Sequence, residues 1–277
     1  MELEAKMFGE VNRFFRIISS AISFTLFGIG GLLLSYLWFP LIRIVYQDKS
    51  QRELACQTSI SRCFRFFTEM MRALRILDLN ISNLNRLQNS QACIVVANHP
   101  TLIDVVILIG YMRQCDCIVK AELWKNPFMR HVVSMAGYIP NQSESLIEEC
   151  QNKLAQGRKL LVFPEGTRTL PGQPVQCKRG AAQLAVRCQA QVQPVTIGCH
   201  PLALYKGSRW YQMPKSPMQF DINVGLPQET TELLRTSPAP STAARKLTRY
   251  FDVALQPTIS KNIEIKEFFC AKPRTTS

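Results

Sequence analysis

The sequence predicts an α/β fold, a mixed, largely parallel sheet flanked by helices, behind an N-terminal helical segment apolar enough to meet a membrane. Three observations predict it. Short apolar runs of strand length recur at Ala92–Ala97, Lys159–Phe163 and Val192–Gly198. Stretches of helical period separate them, and that alternation favours parallel strands joined by helical crossovers. From Ile17 to Ile42 there are 26 residues without a charge, more than the roughly 20 that cross a bilayer.

The chain divides into an N-terminal membrane-associated helical region (1–76), an α/β domain (77–256) and a C-terminal helix and tail (257–277). The uncharged segment is too long for a signal-peptide core, and no small-residue cleavage site follows it. A buried core helix is the competing reading. Gly28, Gly30, Gly31 and Pro40 soften the segment, so a spanning helix and a bent segment entering from one face both fit. Tyr36, Trp38 and Arg43 gather near one end as interfacial anchors do. From about Thr58 to Leu77 a helical stripe of Ile60, Phe64, Phe67, Met71 and Leu74 lies opposite Arg62, Arg65, Glu69 and Arg72. Core packing and lipid contact explain that stripe equally well.

Leu77, Leu79 and Ile81 alternate with polar residues, the period of a half-exposed strand. The run Ala92–Ala97 is a buried strand that Pro100 stops; Val105 to Ile109 resume as a short helix with Asp104 as its N-cap. Cys117–Lys120 is a strand, and Asn126–Ala136 a helix with Pro127 near its start and Gly137 at its end. Ser143 or Ser145 caps a helix to about Gln156, with Ser145 and Glu148 spaced as a capping box. After the strand from Lys159 comes a turn-rich loop, Thr169–Gln176, and a helix opened by Lys178, Arg179 and Gly180. Val192–Gly198 and Phe220–Val224 are the last strands, and Ser241–Leu255 is an amphipathic helix.

Thirty-three Lys and Arg against 20 Asp and Glu give a formal charge of +13. Such a balance points to a membrane surface, an acidic carrier protein or nucleic acid as partner. Nucleic acid is set aside, because the cations are scattered and no binding signature is present. The ten cysteines contain no C-x2-C pair and read as reduced thiols filling the core of a cytosol-facing protein. The three histidines share no metal-ligand spacing, so neither a metal nor a cofactor is expected.

The chemistry concentrates in two stretches. Asn98-His99-Pro100-Thr101-Leu102-Ile103-Asp104 leaves the C-terminal end of the first buried strand, where α/β folds usually hold their reactive groups. His99 and Asp104 can face each other across the turn. The carboxylate then takes one ring nitrogen and leaves the other free to accept a proton. An unremarkable reading of the same spacing is a capping Asp beside a surface His. Pro164-Glu165-Gly166-Thr167-Arg168-Thr169 leaves a second strand with a carboxylate, a glycine able to take positive φ, a hydroxyl and a guanidinium, a set suited to a polar headgroup.

His99-x4-Asp104 followed by Phe163-Pro164-Glu165-Gly166-Thr167-Arg168 resembles the paired signature of the glycerolipid acyltransferases, best known through the 1-acylglycerol-3-phosphate acyltransferases. The resemblance covers roughly Leu77 to Gly225. It implies a membrane-bound enzyme that moves a fatty acyl group from acyl-CoA or acyl carrier protein to the hydroxyl of a lyso-lipid, with its catalytic domain on the cytoplasmic face. By resemblance His99 and Asp104 are catalytic, Glu165, Gly166 and Arg168 position the acceptor's polar head with Thr167 supporting the turn, and Lys178 and Arg179 lie near the substrate. Two cations beside the N-terminus of the helix that Lys178 and Arg179 open make an anion site, and a solvated basic turn is the equal alternative.

One departure stands out. Phosphate-accepting members usually carry an Arg after a Gly-x-hydrophobic stretch, whereas Gly137-Tyr138-Ile139-Pro140-Asn141-Gln142-Ser143 holds no cation. Acceptors without a phosphate monoester, such as an amino-acid lipid or a polyketide-like chain, therefore compete with lysophosphatidic acid. From other classes, a non-catalytic protein binding lipid or acyl carrier and a thioester hydrolase are the alternatives. The chain has no G-x-S-x-G, so a serine-hydrolase elbow is absent.

Overall fold

The computed structural model describes residues 2–90 and 92–257. It opens with a near-continuous helix made of α1 (Glu2–Leu33), a π-helical turn (Leu34–Trp38) and α2 (Phe39–Val45). The glycines do not interrupt it. The irregularity falls beside Pro40 instead, where the N–H of Phe39 reaches back to the carbonyl of Leu34. A proline ring crowds the carbonyl one turn earlier and offers no N–H, and widening the ladder by one residue relieves both problems.

Among the described residues, Gly9–Val45 is the one helix long and apolar enough to cross a membrane, and only 17% of its most apolar window is buried. A core helix would be mostly buried. Its two faces differ: Val11, Phe15, Ile18, Ile22, Leu26, Ile29, Leu33, Leu37, Leu41 and Ile44 recur at steps of three and four and are all exposed. Ser20, Ser23, Ser35 and Phe39 on the other side are buried. There Phe27 packs on Phe67 and Phe64 with ring centroids 4.7 and 5.6 Å apart.

The helix α3 (Lys49–Ala73) starts about two and a half turns before the expected Thr58, because Asp48 caps it by accepting from the N–H of Gln51 at 2.8 Å. Ile60, Phe67 and Met71 are buried in the main core, with Phe64 and Leu74 packed against it. The apolar stripe is therefore core. Seven strands follow: β1 (Leu77–Ser82), β2 (Cys93–Ala97), β3 (Asp116–Val119), β4 (Ile139–Pro140), β5 (Leu160–Val162), β6 (Gln191–His200) and β7 (Met218–Val224). They form one sheet in the order β1-β7-β6-β2-β5-β3-β4. The five strands from β6 to β4 are parallel, β7 runs against β6, and β1 runs with β7.

Between the strands lie α4 (Leu84–Asn89), α5 (Asp104–Tyr111), a 3-10 turn (Ala121–Trp124), α6 (Pro127–Met135), α7 (Leu146–Ala155) and α8 (Arg179–Arg187); α9 (Thr230–Arg235) and α10 (Pro240–Ala254) close the chain. The sheet has a core on each face. Cys93, Val95 and Ala97 of β2 enter the cluster shared with α3 and α5, whereas Ile94 and Val96 enter the one shared with α7, α8 and α10. A strand buried on both faces needs an unbroken apolar run, which is what the sequence carries there.

Several local expectations change. The short strand β4 and the helices α4 and α9 were not foreseen in the sequence pattern. Ser145 sits at the N-cap of α7, yet its hydroxyl and that of Ser143 bind Glu149 at 2.6 and 2.7 Å, so no capping box forms with Glu148. Asp104 is the first residue of α5 and not its cap, which is Ile103. The expected C-terminal helix and tail lie outside the described residues from 258 onward.

Candidate active site

β2 ends in the middle of the sheet, between β6 and β5. There the side chain of Asn98 takes over the ladder: its Nδ2 donates to the carbonyl of Ile197 at 2.8 Å, and its Oδ1 accepts from the N–H of Ile197 at 2.7 Å. The backbone is thereby released to turn while its anchor stays in register with β6. His99 comes next, with Nδ1 2.8 Å from Oδ2 of Asp104.

Asp104 is wholly buried, and three groups fix it. Besides the imidazole, the N–H of Thr101 donates to Oδ2 at 2.7 Å and the hydroxyl of Thr101 donates to Oδ1. Burial pushes the Asp104 carboxyl up from its ordinary value, and the bonds from His99 and Thr101 oppose that push. Asp104 closes on the turn that precedes it in place of capping the helix that follows. The imidazole is 19% exposed and stacks on Phe163, with ring centroids 4.3 Å apart. With Nδ1–H held by the carboxylate, Nε2 carries the free lone pair.

The second motif grips the same loop. Oε1 of Glu165 accepts from the N–H of His99 and from the hydroxyl of Thr169, both at 2.9 Å, and the N–H of Thr169 donates to the carbonyl of His99 at 2.8 Å. Both backbone groups of His99 are thus tied to the Glu165–Thr169 turn. Glu165 is buried, which raises its carboxyl above the usual glutamate range while the His99 and Thr169 bonds pull the other way. Gly166 makes the turn possible with φ at +68°, a region where a side chain would be strained.

Arg168 is bonded to the protein through one nitrogen: its Nη1 donates to the carbonyls of Leu204 and Tyr205 at 3.0 and 3.1 Å. The carbonyl of Leu204 also accepts from the N–H of Leu102 at 2.9 Å. Arg168 therefore ties the 204–205 loop to the first motif. The ammonium of Lys178 is 3.3 Å from where a Cβ on Gly166 would sit, and the N–H of Lys178 donates to the carbonyl of Pro164. Thr167 is half-buried in the same turn. Arg179 begins α8, is exposed and makes no hydrogen bond or ion pair among the described residues.

His99, Asp104 and Glu165 thus form one cluster, with Arg168 and Lys178 on its flanks and Arg179 further out. Sequence reasoning did not single out Asn98, Thr101, Phe163 or Thr169 for roles here. Their signal is positional: each sits inside a motif or next to one. The chemistry available is proton removal by Nε2 of a partly exposed imidazole backed by a buried carboxylate.

A family model described as Acyltransferase matches residues 78–198. Residues 78–198 are an acyltransferase domain. The resemblance to the glycerolipid acyltransferases seen in the two motifs runs through it. A 1-acyl-sn-glycerol-3-phosphate acyltransferase of Helicobacter pylori is 29% identical over 178 residues, 59% of this chain and 72% of that protein. The alpha form from Bos taurus is 28% identical over 198 residues, 64% of this chain and 66% of its own length. A chloroplastic relative from Arabidopsis thaliana aligns over 126 residues at 27% identity, and the match spans 35% of that protein. In fold, the chain matches the crystal structure of the 1-acyl-sn-glycerophosphate (LPA) acyltransferase PlsC from Thermotoga maritima with a TM-score of 0.66 at 18% identity, covering 96% of this chain and all of that one. The acyltransferase domain holds both motifs, so His99, Asp104, Glu165 and Arg168 all fall within it.

Proposed function

We propose that this acyltransferase moves a fatty acyl group from acyl-CoA or acyl carrier protein to the free hydroxyl of a lysophospholipid such as 1-acylglycerol-3-phosphate. The observation that carries the reading is the 2.8 Å contact between His99 and a fully buried Asp104 on a loop pinned by Glu165. The relatives named 1-acyl-sn-glycerol-3-phosphate acyltransferase support the acceptor class.

In this reaction Nε2 of His99 removes the proton of the acceptor hydroxyl as its oxygen attacks the thioester carbonyl. A C–O bond forms and the C–S bond breaks. The departing thiolate then takes the proton back from the imidazolium. Asp104 holds the ring in the tautomer that leaves Nε2 bare and stabilises the imidazolium between the two proton transfers. No acyl-enzyme is needed. Glu165 acts as a positioning residue through the backbone of His99, and Lys178 and Arg179 supply charge for an anionic head near Gly166.

The residues before 77 serve as the membrane-associated region in this proposal, and 77–256 as the catalytic domain. The exposed stripe from Val11 to Ile44 enters lipid while the opposite face stays on the protein. Contacts support a helix lying along the domain: Arg13 donates to the carbonyl of Met213, Ser20 to that of Trp210, and Tyr36 stacks with His131. A helix so bound along its length enters one leaflet from the cytoplasmic face and does not cross. The cation missing from Gly137–Ser143 favours a second reading with the same chemistry and a non-phosphate acceptor, an amino-acid lipid or a polyketide-like lipid.

The test is an acyl-transfer assay on membranes containing the protein, with labelled acyl-CoA and acyl carrier protein as donors and a panel of lyso-lipids, beside His99→Ala. Acylation of lysophosphatidic acid that vanishes in the variant supports the first reading. Transfer only to acceptors without a phosphate monoester supports the second. Transfer that persists in the variant overturns the role given to His99, and no transfer to any acceptor overturns both readings in favour of a protein that binds lipid or acyl carrier.

A further inference from the structure

Away from His99 the fold holds a cavity of about 680 Å³ whose lining includes Arg62, Arg65, Arg113, Arg158 and Lys159. It sits at the opposite edge of the sheet. Lys159 immediately precedes β5 and Arg113 lies ahead of β3, whereas His99 follows β2, a strand about 17 Å long at roughly 3.3 Å per residue. No carboxylate lines it. The nearest ones are already engaged: Glu53 and Asp116 pair with Arg158 and Lys153, and Glu69 pairs with Arg72 and accepts from the hydroxyl of Tyr111.

Subtracting Arg158 leaves four cations at the cavity that form no ion pair among the described residues, with Arg65 feeling Glu69 only at longer range. The ammonium of Lys159 donates to the carbonyls of Leu87 and Gln88 at 2.8 and 2.9 Å, which fixes its position without neutralising it. Arg65 lies over the Tyr111 ring, 5.1 Å from its centroid. Arg62 and Arg113 are exposed and make no hydrogen bond or ion pair among the described residues. Like charges gathered in one concavity repel, and an anion that enters relieves the repulsion.

Amides complete the wall. Gln57, Gln88, Gln114 and Gln156 line the cavity, and Oε1 of Gln57 is buried without a hydrogen-bond partner while its Nε2 donates to Asp116 and to the carbonyl of Ala136. Gln57 lies behind the wall, while the exposed amides of Gln88, Gln114 and Gln156 can donate to the oxygens of an anionic ligand beside the four cations. The volume falls in the range of small-ligand sites, well above what a single phosphate fills.

We propose that this cavity binds a compound carrying two or more phosphates, separately from the acyl-transfer site. Arg62 and Arg65 on α3 and Arg113 just after α5 clamp the phosphates, and Lys159 supplies a fixed charge deeper in. The ligand bridges α3 to α5, the helix that carries Asp104 at its other end. The same chemistry is offered by a soluble polyphosphate and by a phosphorylated inositol lipid headgroup.

The experiment uses the purified full chain in neutral detergent with inorganic tripolyphosphate and ATP as soluble probes, and phosphatidylcholine vesicles with and without phosphatidylinositol bisphosphate as the lipid probe. Two double variants separate the sites: Arg62→Ala with Arg113→Ala, and Arg168→Ala with Lys178→Ala. Saturable binding of at least one probe is expected, weakened at least tenfold in the first pair and retained in the second. The first pair should keep wild-type melting and basal transfer, since both side chains are exposed. Binding of the soluble probes assigns the site to a free polyphosphate, and binding confined to the inositide vesicles assigns it to a headgroup. Binding that survives the first pair, or that is lost only in the second, overturns the proposal, as does the absence of saturable binding by every probe.

Discussion

Asp104 and Asp116 are both fully buried carboxylates flanking the same sheet, and the company they keep differs in one respect. Asp116 receives Arg158 through Nε and Nη2 at 2.7 and 2.9 Å and Gln57 at 3.0 Å, and Arg158 and Lys153 also pair with Glu53. Two cations meet two carboxylates, and neither cation has an acid–base atom to spare near neutral pH. Asp104 instead holds an imidazole by one nitrogen and leaves the second unused. Burial of a carboxylate marks chemistry only where its partner can still exchange a proton; elsewhere it marks a joint, here between α3, β3 and α7.

The largest expected effect tests the chemical member of that comparison. Asp104→Asn keeps an acceptor for Thr101 but no longer selects the imidazole tautomer or stabilises its charged form. Single-turnover transfer should fall by about 10³ to 10⁴-fold, with an unfolding curve near wild type by circular dichroism. A loss of fold of the same size would make Asp104 a joint as well. Arg158→Ala strikes the structural member. Removing one partner of a buried pair typically costs about 3–5 kcal/mol, so urea unfolding should shift by that much while the rate per folded molecule stays within a few-fold of wild type.

Smaller effects sharpen the boundary of the joint. A Cβ on Gly110 would meet the backbone N of Arg65 at 2.9 Å and its Cα at 3.2 Å, and a backbone cannot step aside as a flexible side chain can. Gly110→Ala should therefore force α5 away from α3 and destabilise by about 1–3 kcal/mol, measured by the same urea titration. Glu53 gives the weakest signal and a definite sign. Burial pushes its carboxyl up, but Lys153 and Arg158 outweigh burial and hold it below its ordinary value. A depressed carboxyl contributes stability above its unfolded pKa and loses it as pH falls through the folded one. Melting temperature should thus drop on acidification through about 4.5 and below, and Glu53→Gln should flatten that limb. An unchanged acid limb in the variant would remove Glu53 from the joint.

Much of the acyltransferase domain was legible in the sequence because its central strands are buried on both faces and leave unbroken apolar runs such as Cys93–Ala97. His99, Asp104 and Glu165 stand out in the sequence and the structure brings them together, but the pattern does not say which atoms meet. The bond from the His99 N–H to Glu165 spans 66 residues, and no local pattern announces that a motif carboxylate will hold a backbone amide. The bonds of Arg168 were hidden for the same reason, since the carbonyls its Nη1 meets belong to a loop near Leu204. The early start of α3 was hidden by Glu53 and Gln57, polar residues that read as surface and turn out to be buried in the joint. In the N-terminal helix the absence of charge concealed which face meets the protein. Ser19, Ser20, Ser23 and Ser35, all buried, were the trace of it.

The central claim is that acyl transfer depends on the free nitrogen of His99 while the fold does not. Its most direct test is His99→Ala measured for transfer and for urea unfolding on the same preparation. The account predicts transfer reduced by about 10³-fold or more, since the base is lost together with the role of Asp104, with an unfolding midpoint close to wild type because the ring is partly exposed and the Asn98 anchor remains. Transfer within tenfold of wild type in a folded variant would contradict it.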